Sequence, residues 1–332
     1  MLYITTLNDK DAYTAHRTLR SDCAPDTGEF VPFYLPAFEQ EYIQSLAEKG
    51  TGQIVADVMN LFFSCGLTGW DVDFCIGKNP VKLKTMNHKI VISETWYNHE
   101  DKYKYIENAL YARICPNNER AGKPTEWFRV AVRVAVMFAT YSELLKQNVV
   151  TADQLFDVAV PVGDFTAPIS AFYAGKMGLP VGTTVCSCDD SNNIWDLVQR
   201  GEVNPGVCTY QKGIERLLQG LYGCDEVHRY RQSYETGAGY HFEEEDFSKL
   251  DGLVFAAVIG KDRIPSVINS MFKTSDYLID ECTAYAYAGL QDFRTRIANG
   301  RPGLLFALNN PALSFEQISA ATGVSKDQLK KR

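Results

Sequence analysis

Residues 161–180 read PVGDFTAPISAFYAGKMGLP. They follow a strand-like segment at 156–160, turn at Gly163, and open a helix-like stretch that closes at Gly178. Strand, glycine turn and helix in that order aim backbone N–H groups and a helix N-terminus at one point, an arrangement suited to holding a phosphate.

Outward from this block, the pattern alternates. A short buried strand is expected at 181–186, a helix at 192–200 and another at 214–221. Strands are expected at 253–258 and 303–308, with a helix rich in small residues at 279–291 between them. Upstream, Ile90, Val91 and Ile92 read as a strand leading into Trp96 and Tyr97. A helix is expected from Asn98, with Asn98 as N-cap and Glu100 and Asp101 in its first turn. Residues 115–124, CPNNERAGKP, form a polar breaker, and 126–145 repeat apolar residues at three and four, as in Phe128, Val132, Ala135 and Val136. Residues 1–90 mix short apolar runs with helical patterns at 39–48 and 54–63. Apolar strands alternating with helices predict an α/β layer architecture.

The 332 residues are 45% apolar and 12% aromatic, enough to bury a large core. No apolar run of about 18 residues is present, so a membrane span is not expected. The opening MLYITTLNDKDAY lacks the basic-then-apolar pattern of a signal peptide, and nine scattered cysteines suggest free thiols, so we expect a cytoplasmic protein. The net charge of −8 is spread along the chain and makes nucleic acid an unexpected partner. Cys186 and Cys188, followed by Asp189 and Asp190, lack the second pair that structural zinc requires, and we expect buried thiols there and no metal. The acidic run Glu243 to Asp246 is expected to start a helix with a solvated negative end, with an acidic partner patch as the alternative.

Several blocks, taken in order, resemble the threonine synthase family of fold-type II enzymes dependent on pyridoxal phosphate (PLP). APDTGEFVP at 24–32 is similar to the family's APDGGLYVP, and Leu35 and Pro36 stand as its LP. Residues 161–180 resemble the family's phosphate loop, SGNFGD before a helix ending in MGLPV. GIERLLQGLYG at 213–223 is similar to its NFERLLF helix, YLIDECTAYA at 277–286 to YLIDPHTAVA, and FALNNPALSF at 306–315 to LSTAHPAKF. The resemblance covers most of the chain. It implies a scaffold like the β subunit of tryptophan synthase: an N-terminal region at 1–90 and a three-layer α/β large domain at 91–332, with a deletion near 115–124.

The resemblance also assigns site residues. Glu94 and Lys104, ten apart as in ELFHGPTLAFKDF, stand where the family has its substrate-side glutamate and Schiff-base lysine. Exposed lysine is the default for such a residue, and a solvated helix position is the plain reading of Lys104. Gly163, Asp164, Phe165 and Thr166 occupy the phosphate loop, with Asp164 replacing an asparagine and Thr166 a glycine. Leu308 takes the place of the threonine that partners the pyridine nitrogen, and Asn310, Leu313 and Cys282 take the places of a histidine, a lysine and a histidine. Leucine cannot hydrogen-bond, and a carboxylate at 164 would repel a phosphate by several kcal/mol at about 4 Å with an effective dielectric of about 20. No SGDTG stretch occurs, so the family's small mobile domain, about 100 residues, is expected to be missing.

These readings predict a degenerate threonine synthase-like protein that has lost PLP binding. Its role would be binding or regulation, through association with another protein at the surface left by the missing domain. Trp96, Tyr97, Tyr103, Tyr105 and Tyr111 concentrate aromatic side chains there. The alternatives are an active PLP-dependent lyase acting on O-phosphohomoserine or a related amino acid through Lys104, and a small-metabolite site in the vacated cleft.

Overall fold

The computed structural model describes residues 1–78, 81–86, 89–95, 102–116, 123–189, 194–206 and 210–329. The expected helix start at Asn98, together with Trp96, Tyr97 and Asp190, lies outside them. The chain opens with β1 (Leu2–Thr5), β2 (Tyr13–Thr14), the short helix α1 (Ala15–Thr18) and β3 (Phe30–Pro32), whose strands pair antiparallel in the order β2-β1-β3. Three helices follow: α2 (Gln40–Ser45), α3 (Thr51–Phe63) and α4 (Gly69–Ile76). A reciprocal capping box between Thr68 and Asp71 satisfies donors at the start of α4.

Next come β4 (Lys82–Met86), β5 (Ile90–Glu94), α5 (Lys102–Ile114) and α6 (Glu126–Lys146). The quoted block supplies β6 (Phe156–Pro161) and α7 (Thr166–Lys176), and β7 (Val181–Cys188) follows it. Then α8 (Ile194–Arg200), β8 (Glu202–Val203), α9 (Glu215–Tyr222), α10 (Cys224–Thr236), β9 (Tyr240–His241) and α11 (Glu244–Phe247) lead to β10 (Val254–Val258). The chain continues through α12 (Ile264–Ser275), α13 (Glu281–Arg296), β11 (Gly303–Ala307), α14 (Phe315–Thr322) and α15 (Lys326–Leu329). The helix expected from residue 279 starts two residues later because the Asp280 carboxylate caps it, accepting from the amides of Cys282 and Thr283.

Six strands form the central sheet in the order β10-β7-β6-β11-β5-β4; all neighbours are parallel except β4, which runs antiparallel to β5 at the edge. Period-two alternation puts Val158, Val160, Leu304 and Phe306 on one face and Ala159, Leu305 and Ala307 on the other. The first face packs with α3, α6, α7 and the N-terminal strands, the second with α12, α13 and α14. The result is the expected three-layer α/β fold, in which the N-terminal segment shares a core with the sheet. Ligand sites in such sheets lie beyond the carboxyl ends of the strands, which here are the ends of β5, β6 and β11.

A glutamate–arginine pair is buried between the N-terminal sheet and α9. Glu29 carries Oε1 3.2 Å from Nη1 of Arg216, and both side chains are almost fully enclosed. Burial pushes the Glu29 carboxyl up to about 8, against the pull of Arg216 and with the help of Glu126 and Glu215. An unfolded glutamate titrates near pH 4.3. The folded chain therefore holds the extra proton between those two values, and this stabilisation is full at low pH and lost as pH rises through about 8. We expect the urea midpoint to fall between pH 5 and pH 8 by the equivalent of a few kcal/mol, at about 1.4 kcal/mol per unit of pKa difference. Glu29→Gln should flatten that slope, which unfolding curves at three pH values will measure.

Candidate functional site

At the carboxyl end of β6 the chain leaves the sheet through Val162, whose amide donates to Ser187 O at 2.9 Å, and turns at Gly163, where φ is +49°. Phe165 also has a positive φ, +64°, and its buried ring pays no part in solvent contact. A non-glycine residue in this region stores strain that the surrounding packing must hold. Gly213, just before α9, sits against this loop so closely that a Cβ there would lie 2.7 Å from both Asp164 O and Phe165 Cβ. The α9 segment thus seats the loop, and glycine is required at the point of contact.

The polar side of the loop is an ionic quartet. Asp164 accepts from the Thr166 amide at 3.1 Å through Oδ1 and from Arg129 Nη2 at 2.8 Å through Oδ2. Arg129 Nε lies 3.5 Å from Glu107 Oε2 on α5, and Arg133 Nε lies 3.5 Å from Glu107 Oε1. Although partial burial raises the Asp164 carboxyl, hydrogen bonds from Thr166 and the charges of Arg133 and Arg129 outweigh it and hold the group at about 2. Burial pushes the Glu107 carboxyl up, opposed by Arg133 and Arg129.

Beside the quartet is a small cavity lined by Arg133 and Met137 of α6, Val160 and Pro161 of β6, Ala167 and Ser170 of α7, and Phe306 and Leu308 at the end of β11. Its volume is about 10 Å³, room for about one water molecule. Ser170 turns its hydroxyl to Thr166 O at 2.6 Å, within its own helix.

The remaining residues singled out in the sequence do not line the cavity. Lys104 is exposed on α5, three residues before Glu107. Glu94, buried at the end of β5, accepts from the Tyr277 hydroxyl at 2.7 Å and pairs with Lys82 at 2.9 Å. Asn310 caps the turn after β11, accepting from the Ala312 amide at 2.9 Å. Cys282 sits in the first turn of α13, its thiol pushed up to about 11 by burial and by Asp280 and Glu281. Cys186 and Cys188 are buried, as expected. Among the described residues no group of three or more His, Cys, Asp or Glu side chains could hold a metal, and no helix is long and apolar enough to cross a membrane.

Sequence reasoning missed Arg129, Arg133 and Glu107. The two arginines stand four apart in EWFRVAVRVAVMF, a stretch otherwise apolar after Glu126, and that spacing was the available signal.

No protein-family model matches the chain. In sequence it is similar to threonine synthase-like 1 of Pongo abelii, 24% identical over 174 residues, covering 48% of this chain and 23% of the relative. The match therefore spans about a quarter of the length of the curated relatives. In structure it is similar to PLP-bound threonine synthase from Brucella melitensis, with a TM-score of 0.82 at 14% identity over 98% of this chain and 92% of that one. Yeast threonine synthase gives a TM-score of 0.80 at 12% identity, over 98% and 91% of the two chains. The order of strands, the loop after β6 and these likenesses lead to one conclusion: the chain has the threonine synthase fold, and in sequence it is distantly threonine synthase-like.

Proposed function

We propose that this threonine synthase-like chain is a pseudoenzyme that works by binding another protein and does not run PLP chemistry. A fold of this kind carries no activity by itself; activity resides in the site. The single observation that carries the reading is how little space the described residues leave beside the loop that the resemblance equates with the phosphate loop: a cavity of about 10 Å³, walled by Met137, Phe306 and Leu308. Small-molecule pockets are commonly about 300–1,000 Å³. The residues present do not fit PLP. Leu308 offers no hydrogen bond to a ring nitrogen, the Asp164 carboxylate lies on the first amide of α7, and Lys104 is exposed and outside the cavity lining. A Schiff-base lysine is activated by a desolvated pocket, which an exposed side chain lacks.

The missing mobile domain belongs to the same reading. Its support is the absence of any SGDTG stretch and the short connection, residues 115–125, between α5 and α6. The surface left on α4 and α5 is aromatic. Trp70 and Phe74, four apart on α4, are 71% and 76% exposed and stack with ring centroids 5.4 Å apart. Tyr105 donates to Cys75 O beside them at 3.0 Å. Exposed aromatic side chains of this kind anchor protein interfaces, and the tiny cavity favours a protein partner over a metabolite in the cleft.

Titration of the purified protein with PLP tests the reading. We expect the absorbance of free PLP with no added Schiff-base band, and the same spectrum from Lys104→Ala. A band that saturates at one PLP per chain and disappears in Lys104→Ala would establish the rival, a PLP-dependent lyase acting through Lys104.

A further inference from the structure

We infer that Asp164 is a built-in anion that has taken over the place of the cofactor's phosphate, so that the loop after β6 is held shut by the chain's own carboxylate. This rests on the reading that the centre no longer holds PLP, and it names the residue responsible. The argument starts from charge. Arg129, Arg133, Glu107 and Asp164 are two cations and two carboxylates joined by contacts of 2.8 Å from Arg129 to Asp164 and 3.5 Å from each arginine to Glu107. Asp164 is the carboxylate that Arg129 Nη2 meets at 2.8 Å, and it lies on the first amide of α7, where the partial positive charge of a helix N-terminus favours an anion.

Geometry makes the same point. Asp164 spends both carboxylate oxygens on donors that a phosphate would otherwise use, Thr166 N and Arg129 Nη2. Arg133 joins the quartet to the cavity, since it faces Glu107 and lines the space beside Ser170 and Ala167. An external dianion would have to displace Asp164 from both partners and then lie against its charge. An attached carboxylate binds without the loss of translational freedom that a free ligand suffers, which favours it over a free anion.

The test uses inorganic phosphate as the probe and thermal unfolding as the readout, with chloride replaced by phosphate at constant ionic strength. The full chain should show no rise in Tm with phosphate. Asp164→Ala should start lower in chloride and rise by about 3 °C when phosphate reaches ten times its Kd, and Asp164→Ala combined with Arg129→Met should lose that response. Asp164→Asn, which keeps an acceptor for Thr166 and loses the charge, carries the same expectation if the alanine variant does not fold. A wild-type rise equal to the variant's, or no rise in either single variant, overturns the inference. The outcome is separable from the PLP titration: a Schiff base in the wild-type chain refutes the pseudoenzyme reading, whereas phosphate binding by the variants depends on the quartet alone.

Discussion

Replacing Glu215 with alanine is expected to destabilise the chain by about 3–5 kcal/mol, the usual cost of removing one partner from a buried ion pair. Glu215 opens α9 and is fully enclosed, with Arg231 Nε at 2.6 Å from Oε1 and Arg231 Nη2 at 2.8 Å from Oε2. Thr6 donates its hydroxyl to the same carboxylate at 2.9 Å, and Tyr210 donates to it as well. The alanine variant takes the carboxylate away from the Arg231 guanidinium and from two further polar groups, the Thr6 and Tyr210 hydroxyls, at once. A drop of this size is a large share of the roughly 5–15 kcal/mol that holds a domain together. The urea midpoint should fall accordingly, and Arg231→Ala added to Glu215→Ala should cost much less than the sum of the two single changes. Additive losses would show that the pair is not coupled. The consequence reaches the centre because Glu215 fixes the segment whose Gly213 seats the loop at Asp164 and Phe165.

Trp127→Ala is the second large effect, about 3–5 kcal/mol, as for other buried tryptophans cut back to alanine. Trp127 lies in the first turn of α6 with no solvent exposure. Its ring meets Tyr3, Phe62 and Tyr173 edge-on at centroid distances of 5.5, 5.4 and 5.6 Å. This one side chain therefore joins the first strand, α3 and α7 to the helix that carries Arg129 and Arg133. Edge-on aromatic contacts add to the area term, so Trp127→Phe should lose clearly less than alanine does. Equal losses for phenylalanine and alanine in denaturant unfolding would mean that the ring contacts carry little of the stability.

The elements that the sequence made legible are those whose signal is local. The quoted block gave its strand, its turn at Gly163 and its helix because apolar alternation, a glycine and a helical stretch follow one another without interruption. α6 was legible for the same reason, with apolar residues at three and four over 21 residues. α4 was not read as a helix, since GWDVDFCI has no long apolar stripe and depends on the Thr68–Asp71 cap. α10 was missed because its polar face dominates the count, CDEVHRYRQSYET.

The centre was legible only as a set of replacements. That Leu308 and Asp164 depart from the family's pattern could be read from the residues; that Leu308 walls a cavity of about 10 Å³ could not. The expectation for Asp164 was repulsion of a bound phosphate. The structure adds that the carboxylate is already engaged by Arg129 and Thr166, contacts spanning 35 and 2 residues of sequence. Glu107 and Arg133 meet across 26 residues. The spacing of Arg129 and Arg133 shows in the sequence, but their partners Glu107 and Asp164 come from α5 and from the loop before α7, and only the fold brings them together.

We propose that this chain, which has the threonine synthase fold, does not take up PLP. The most direct measurement is to incubate the protein with PLP, reduce with borohydride, and determine the intact mass and the modified peptide. The account predicts that Lys104 carries no more label than other exposed lysines and that Lys104→Ala leaves the labelling unchanged. One phosphopyridoxyl group per chain, confined to Lys104 and abolished in Lys104→Ala, would contradict it.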